Sequence, residues 1–390
     1  MYALVIGASS EAVFAIERAK KMGFEVVAFD GDSNALGLRY ADRYYVTDIR
    51  QPQNIIKILT DENIVPDVIL PVPIGRYLIT SGAINDYYNL KGISYKAADA
   101  CTDKYKFHRL LDKNGLRNIK CQCIEEGSSN IKDVIKFPAI IKPRYGSGSR
   151  AVSVAEGEND IKRFKEELPY NEDYIIEEMV KGTEYGIDGA VTDGKINIVL
   201  VRKKMITRPP ARQCVGYYVL ADNEIYRKVE KYLAKVVETL EMDKCVFHAD
   251  IIINADEIFV IEISPRPSGH YLHNMFTPLA TGVNVVDEYI KYAFGNGDYK
   301  FKPDIIKNML IRFFDFEDCI IEKTPDAETI IEKYHLCRYV CNIKNGERMD
   351  KVTDGHSLMG RGYFVVMVDD EQEIEVLSKN IKDEFKIIKK

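Results

Sequence analysis

The chain of 390 residues lacks an excess of basic residues, a regular cysteine framework and any apolar run of membrane-spanning length. Its formal net charge of −6 removes the basic footprint that non-specific nucleic-acid binding needs. Neither nucleic acid nor a membrane is an expected partner. Eight cysteines are present, but Cys121-x-Cys123 and Cys337-x3-Cys341 do not have zinc-ribbon spacing, so reduced, structural thiols are expected. The strand-like run Ala3–Ile6 has no basic leader before it, and a cytoplasmic location is the expectation. No low-complexity segment or internal repeat stands out.

What is present is ordinary in composition, with 46% hydrophobic and 29% charged residues and length for two or three domains. The N-terminal third alternates strands and helices. Ala3–Ile6 reads as a strand, Ala12 to Met22 as an amphipathic helix stopped by Gly23, and Glu25–Phe29 as a second strand. The alternation continues to Val68–Pro71 and predicts a doubly wound parallel sheet. Asp30 ends the second strand where a dinucleotide-binding unit carries an acid. After Gly7, however, come Ala8, Ser9, Ser10 and Glu11, so the second and third glycines of that fingerprint are missing. A generic turn, or a small-substrate contact at the helix N-terminus, is the reading preferred.

The densest chemistry lies in FHADIIINADEIFVIEISPRPSGH, Phe247 to His270. Two apolar runs carry Asp250 and Glu262, and burying a lone carboxylate in such a strand is costly. A divalent cation removes that cost, and Mg²⁺ takes one or two carboxylates plus water and phosphate oxygens. Acids on the solvent face of a hairpin are the ordinary alternative. Register decides between them. A three-residue turn (Ala255 to Glu257) places Asp250 opposite Glu262 on one face, whereas a four-residue turn separates them. Glu262 and Ser264 share a face either way. Arg266 then reads as a clamp for phosphate or carboxylate oxygens.

Upstream, Thr102 or Asp103 caps a predicted helix that begins at Lys104 and stops at Gly115. Ala139–Lys142 leads into Gly146-Ser147-Gly148-Ser149, a loop able to lay backbone N–H groups over phosphate oxygens beside the Lys142 charge. No Gly-Lys-Ser/Thr follows it, so it is not a P-loop, and a plain β-turn is the default reading. Tyr174 to Asp188 reads strand, connector, strand. Backbone near Glu177, Glu178 and Val180 could bind a base edge, and Glu184 could accept from ribose hydroxyls.

In this order the segments resemble the ATP-grasp superfamily of ADP-forming carboxylate–amine ligases, over nearly the whole chain. The resemblance implies a mixed α/β and α+β protein. It has an N-terminal doubly wound parallel αβ domain (1–98), a central two-lobed ATP-grasp domain (99–300) and a small C-terminal α+β domain (301–390). It also implies ATP and Mg²⁺, with Mn²⁺ as a substitute. Lys104 and Lys142 match the lysines on the α- and β-phosphates, and residues 146–149 match the loop that closes over them. Glu177 and Val180 match the adenine connector, with Glu178 beside them, and Glu184 the ribose acceptor. Asp250 and Glu262 match the metal ligands. Ser264 stands where the family often has Asn, and Arg266 matches the arginine on the transferred phosphate.

The substrates are less legible. The basic run Arg202 to Arg212 offers Arg208 or Arg212 as carboxylate clamps, or a solvated basic strand instead. His270 and His273 could line the same cavity or simply pack. The implied reaction joins a small-molecule carboxylate, such as an amino acid, to an amine; a homodimer is compatible with it. A purine-pathway-like or bicarbonate-using relative is the alternative. A non-enzyme, or an oxidoreductase built on the N-terminal unit, is disfavoured by the intact set of lysines and acids.

Overall fold

Short apolar runs alternating with amphipathic helices become a four-stranded parallel sheet at the N-terminus. In this computed structural model residues 1–124, 135–146, 151–167, 173–207, 213–255, 257–295, 297–352 and 355–389 are described. Strands β1 (Tyr2–Ile6), β2 (Glu25–Asp30), β3 (Arg43–Val46) and β4 (Val68–Ile69) run in the order β3-β2-β1-β4. Helices cover both faces, so β1 is buried from Ala3 to Ile6 without polar alternation. The predicted first helix spans Val13–Lys21 after a 3₁₀ turn, and Gly23 at φ 86° ends it. Asp30 closes the Gly7–Ala8 turn internally: its carboxylate accepts the N–H groups of Ala8 (2.6 Å) and Asp32 (2.9 Å).

A small antiparallel sheet follows. It contains β5 (Cys121–Ile124), β6 (Ala139–Pro143), β7 (Ser153–Ala155) and β8 (Tyr174–Glu178), in the order β5-β8-β6-β7. Its inner face packs Ile124, Ile141 and Ile176 against Ile161 and Phe164 of the helix Glu158–Glu167.

The large sheet holds β9 (Thr183–Thr192), β10 (Lys195–Ile206), β11 (Cys214–Val219), β12 (Cys245–Asn254), β13 (Glu257–Ser264) and β14 (Met309–Phe313). A separate three-stranded sheet is formed by β15 (Cys319–Lys323), β17 (Glu347–Met349) and β19 (Lys386–Lys389). Two more strands, β16 (Arg338–Cys341) and β18 (Gly362–Met367), complete the large sheet in the order β13-β12-β9-β10-β11-β14-β18-β16. The segment after residue 300 therefore extends the central sheet by three strands. The helix Gly355–Arg361 runs straight into β18. Gly362 sits there at φ 106°, and a Cβ would fall 2.1 Å from the Val340 carbonyl oxygen.

Two helices fix the site's surroundings. Asn223–Thr239, capped by Asp222, buries Val229, Leu233, Val236 and Val237 against the large sheet, a stripe of helical period. Val285–Phe294 packs Val286, Tyr289 and Ile290 against Ala15, Ile16 and Ala19 of the first helix. Arg18 Nε also donates to Asp287 Oδ1 (2.7 Å), so the N-terminal sheet is joined to the rest by core and charge. Among the described residues no helix is long and apolar enough to cross a membrane.

Candidate active site

Register brings the two acids of the Phe247–His270 segment together. Asp250 pairs with Glu262, directly opposite across β12 and β13, so both side chains leave the same face. The hairpin reaches this pairing by another route than the three-residue turn, one of the two that the sequence left open. Asn254 pairs with Glu257, a tighter connection that alone would set Asp250 against Ile261. The ladder shifts between Asp250 and Ile251, leaving Ile261 as the extra residue of a β-bulge.

The same face gathers more polar groups from neighbouring strands. His248 and Ser264 pair one step along the ladder, and Gly186, Glu184 and Asp188 lie opposite Asp250, Ile252 and His248 on β9. Arg202 lies opposite Gly186, and Lys204 follows two residues later on β10. Gly186 makes the crossing feasible, since a Cβ there would lie 3.3 Å from His248 Cε1. Lys204 Nζ lies 2.6 Å from Asp250 Oδ2, and His248 Nε2 lies 3.2 Å from Oδ1. That Oδ1 atom is buried and faces the His248 ring nitrogen. Burial works against the Asp250 charge, but Lys204 and His248 outweigh it and hold the carboxyl well below its usual range.

The basic run Arg202–Lys204 is thus not a solvated strand. Arg202 is fully buried on Asp188 (2.6 and 2.9 Å), and Lys204 faces Asp250. Lys203 points to the reverse face, where its Nζ meets Glu371 Oε1 at 2.7 Å. Arg208 and Arg212 lie outside the described residues, as do Ser147, Gly148 and Ser149.

On the small sheet, Lys142 Nζ donates to Glu177 Oε1 (2.6 Å) and Arg117 Nη2 to Glu177 Oε2 (2.8 Å). All three side chains are buried. Burial opposes the Glu177 charge, yet Arg117 and Lys142 prevail and set its pKa at about 2. Glu177 is also paired in the ladder between β5 and β6. Its side chain positions Lys142, and backbone outside the sheet begins only with the connector that contains Val180. Glu178 Oε2 accepts the Lys120 N–H at 3.0 Å. Lys104 Nζ reaches the Gly146 carbonyl (2.8 Å), spanning from the helix Lys104–Lys113 to the chain just beyond β6.

Arg144, which sequence reasoning passed over, fastens that stretch. Its guanidinium forks onto Asp103 (2.9 and 2.6 Å), the N-cap of the same helix, and reaches Asp173 at 3.1 Å. The signal was legible, because Asp103 was already a capping candidate and Arg144 follows Pro143 in the strand exit.

Arg266 Nη1 donates to the Pro267 carbonyl (2.9 Å), and the guanidinium lies near Glu11. Glu11, from the first turn of the N-terminal domain, accepts the His270 N–H at 3.3 Å. Burial raises its pKa against the pull of that bond and of Arg266. The His270 ring sits edge-on to Phe313 at 6.3 Å. His273 is fully buried, with Nδ1 donating to the Ser268 carbonyl.

Residues 101–270 match the family model described as an ATP-grasp domain. This stretch is similar to an ATP-grasp domain. Among curated proteins it is 22% identical over 270 residues to the arginine-specific carbamoyl phosphate synthase large chain of Bacillus subtilis, covering 66% of this chain and 26% of that one. It is 25% identical over 286 residues to the formate-dependent phosphoribosylglycinamide formyltransferase of a Nitratiruptor species, covering 66% and 68%. The chain thus spans about a quarter of the carbamoyl phosphate synthase chain. Among solved structures, the L-amino acid ligase of Bacillus licheniformis superposes with a TM-score of 0.79 at 16% identity, covering 100% of this chain and 98% of that one. The likeness in fold therefore extends over the whole chain, including the strands after residue 300.

Proposed function

We propose that the protein is an ATP-dependent, ADP-forming ligase that activates a small-molecule carboxylate as an acyl phosphate and joins it to an amine. The observation that carries this reading is the Asp250–Glu262 pair, set face to face within the stretch that matches the ATP-grasp family model. The names of the similar proteins, two of them a carbamoyl phosphate synthase and an L-amino acid ligase, support the reaction class.

The donor set suits Mg²⁺. Among the described residues no group of three or more His, Cys, Asp or Glu side chains is arranged to hold a metal ion by itself, so a site rich in protein ligands is not offered. Two carboxylates with room for water and phosphate oxygens are what Mg²⁺ takes. Asp250 and Glu262 would hold it, with the Ser264 hydroxyl two residues beyond Glu262. When bound, it neutralises charge on the transferring phosphoryl group.

The chain's own residues do the placing. Lys104 and Lys142 hold the α- and β-phosphates, with Glu177 fixing Lys142, and Gly146 to Ser149 cover them. The connector at Val180, flanked by Glu178, takes the adenine edge, and Glu184 the ribose hydroxyls. A substrate carboxylate oxygen attacks the γ-phosphorus, and the bond to the β-phosphate oxygen breaks with its electron pair leaving on ADP. Arg266 meets the charge spread over the moving phosphoryl oxygens. An amine nitrogen then attacks the acyl carbon, phosphate leaves, and the ammonium proton passes to solvent. Arg208, Arg212 and His270 are the candidates for holding the substrates, with an amino acid as the carboxylate class.

Product analysis tests the reading. Incubation with MgATP and pools of carboxylates and amines should give ADP and phosphate only when both partners are present. AMP and pyrophosphate as the main products would overturn it.

A further inference from the structure

The face that presents Asp250 also carries a buried network whose centre is Asp188. Both oxygens of this carboxylate are engaged. Arg202 Nη1 donates to Oδ2 (2.6 Å) and Nη2 to Oδ1 (2.9 Å). Ser268 Oγ and Thr277 Oγ1 donate to Oδ2 at 3.1 and 2.8 Å. His248 Nδ1 lies 3.2 Å from Oδ1 and 3.1 Å from the Ile187 carbonyl, while its other ring nitrogen faces Asp250. Asp188, Arg202, Ser268 and Thr277 are each buried to 2% exposure or less.

We infer that Asp188 is a positioning residue that sets the metal carboxylate and the phosphate arginine in one geometry. Through His248 it fixes the side of Asp250; through Ser268, two residues past Arg266, it fixes the loop that aims the guanidinium. The inference rests on the metal-site reading above and assigns Asp188 no contact with nucleotide. Groups that orient a ligand from behind commonly matter about ten- to a hundredfold in metal affinity or activity. A network serving only the fold would need one partner for the buried Arg202 charge. This one spends the same carboxylate on the metal strand and on the loop after Arg266, two segments with separate duties.

The two arms can be cut separately. Titration of Mn²⁺ into the protein–ADP complex, followed by electron paramagnetic resonance, reads the metal arm without turnover. Single-turnover ADP formation reads the arginine arm. His248→Gln should weaken Mn²⁺ binding about tenfold or more. Ser268→Ala should leave Mn²⁺ binding unchanged and slow ADP formation at an unchanged KM for ATP, with Ser268→Thr restoring the rate. Asp188→Asn should show both losses; should it not fold, the His248 and Ser268 variants decide. Variants that lose only melting temperature, with Mn²⁺ affinity and single-turnover rate at wild-type values, would reduce the network to structural support. Glu262→Gln serves as the control. Wild-type Mn²⁺ affinity in that variant removes the metal site itself, whereas a loss there without loss in His248→Gln removes only the role of Asp188.

Discussion

Asp250 and Glu262 oppose each other because Ile261 is the extra residue of a bulge in β13. Bulges re-aim side chains beside active sites, and here one moves a carboxylate onto the face that already holds Asp250. Replacement of Glu262 by Gln keeps the shape and removes the charge. The expected outcome is loss of Mg²⁺-dependent ADP release with an unchanged melting temperature, since Glu262 is half-buried and makes no ion pair among the described residues. ADP release at the wild-type rate would sink the assignment.

Glu177 answers two buried cations at once, so its truncation should be among the costlier single changes in the chain. Glu177→Ala leaves Lys142 and Arg117 uncompensated, and breaking a buried pair in this way costs about 3–5 kcal/mol. Urea denaturation at neutral pH measures it. The depressed pKa adds a second signature with a definite sign. The unfolded carboxyl titrates near its usual 4.5 and the folded one at about 2. The stabilisation is therefore present above pH 4.5 and lost as pH falls through that interval. Glu177→Gln should remove this acid-side slope; an unchanged slope would mean the pairing does not persist in solution.

Much of this arrangement was legible in the sequence, and the failures have physical causes. Strand and helix periods placed the N-terminal sheet, and the pairing of Asp250 with Glu262 was one of the two registers the sequence left open. The route to it was hidden, because a bulge leaves no mark in a run such as Phe259-Val260-Ile261 where every residue is apolar. The partners of Arg202, Lys203 and Lys204 were also hidden. Three consecutive bases look alike in sequence, but alternation along β10 sends Lys203 to one face and its neighbours to the other. Glu177 was taken for its backbone, since nothing local shows that Arg117, sixty residues away, would fold onto its carboxylate. The joining of the last ninety residues to the central sheet depends on pairings such as Gly216 with Arg312, which no local period encodes.

Arg266 makes its side-chain hydrogen bond to the carbonyl of its own neighbour, Pro267. Its removal should therefore damage chemistry more than fold. Arg266→Ala is expected to lower phosphoryl transfer by about a hundredfold or more, the scale for losing one transition-state charge partner. Nucleotide binding should weaken far less, because Lys104 and Lys142 remain. Single-turnover kinetics together with ADP titration would separate the two. An equal loss in both would recast Arg266 as a ground-state binding group.

His108 lies on the helix that begins with Lys104, buried, with Nδ1 unpartnered among the described residues. Burial lowers its pKa, and Arg117 lowers it further against the opposing pull of Glu177, to about 4. His273, buried beside Ser268, is likewise held at about 4, first by burial. In both cases the unfolded imidazole takes a proton near pH 6.5 while the folded one refuses it until about 4. The unfolded state then binds more protons throughout that window, so stability should fall as pH drops from 6.5 toward 4 and level off below it. Each ring contributes up to ~1.4 kcal/mol per pH unit within the window. Urea midpoints between pH 7 and 5 would show the slope, and His108→Gln should remove about half of what the two rings supply. A midpoint that stays level from pH 7 to 5 in the wild type would mean that water reaches both rings, and that the buried settings of His108 and His273 open in solution.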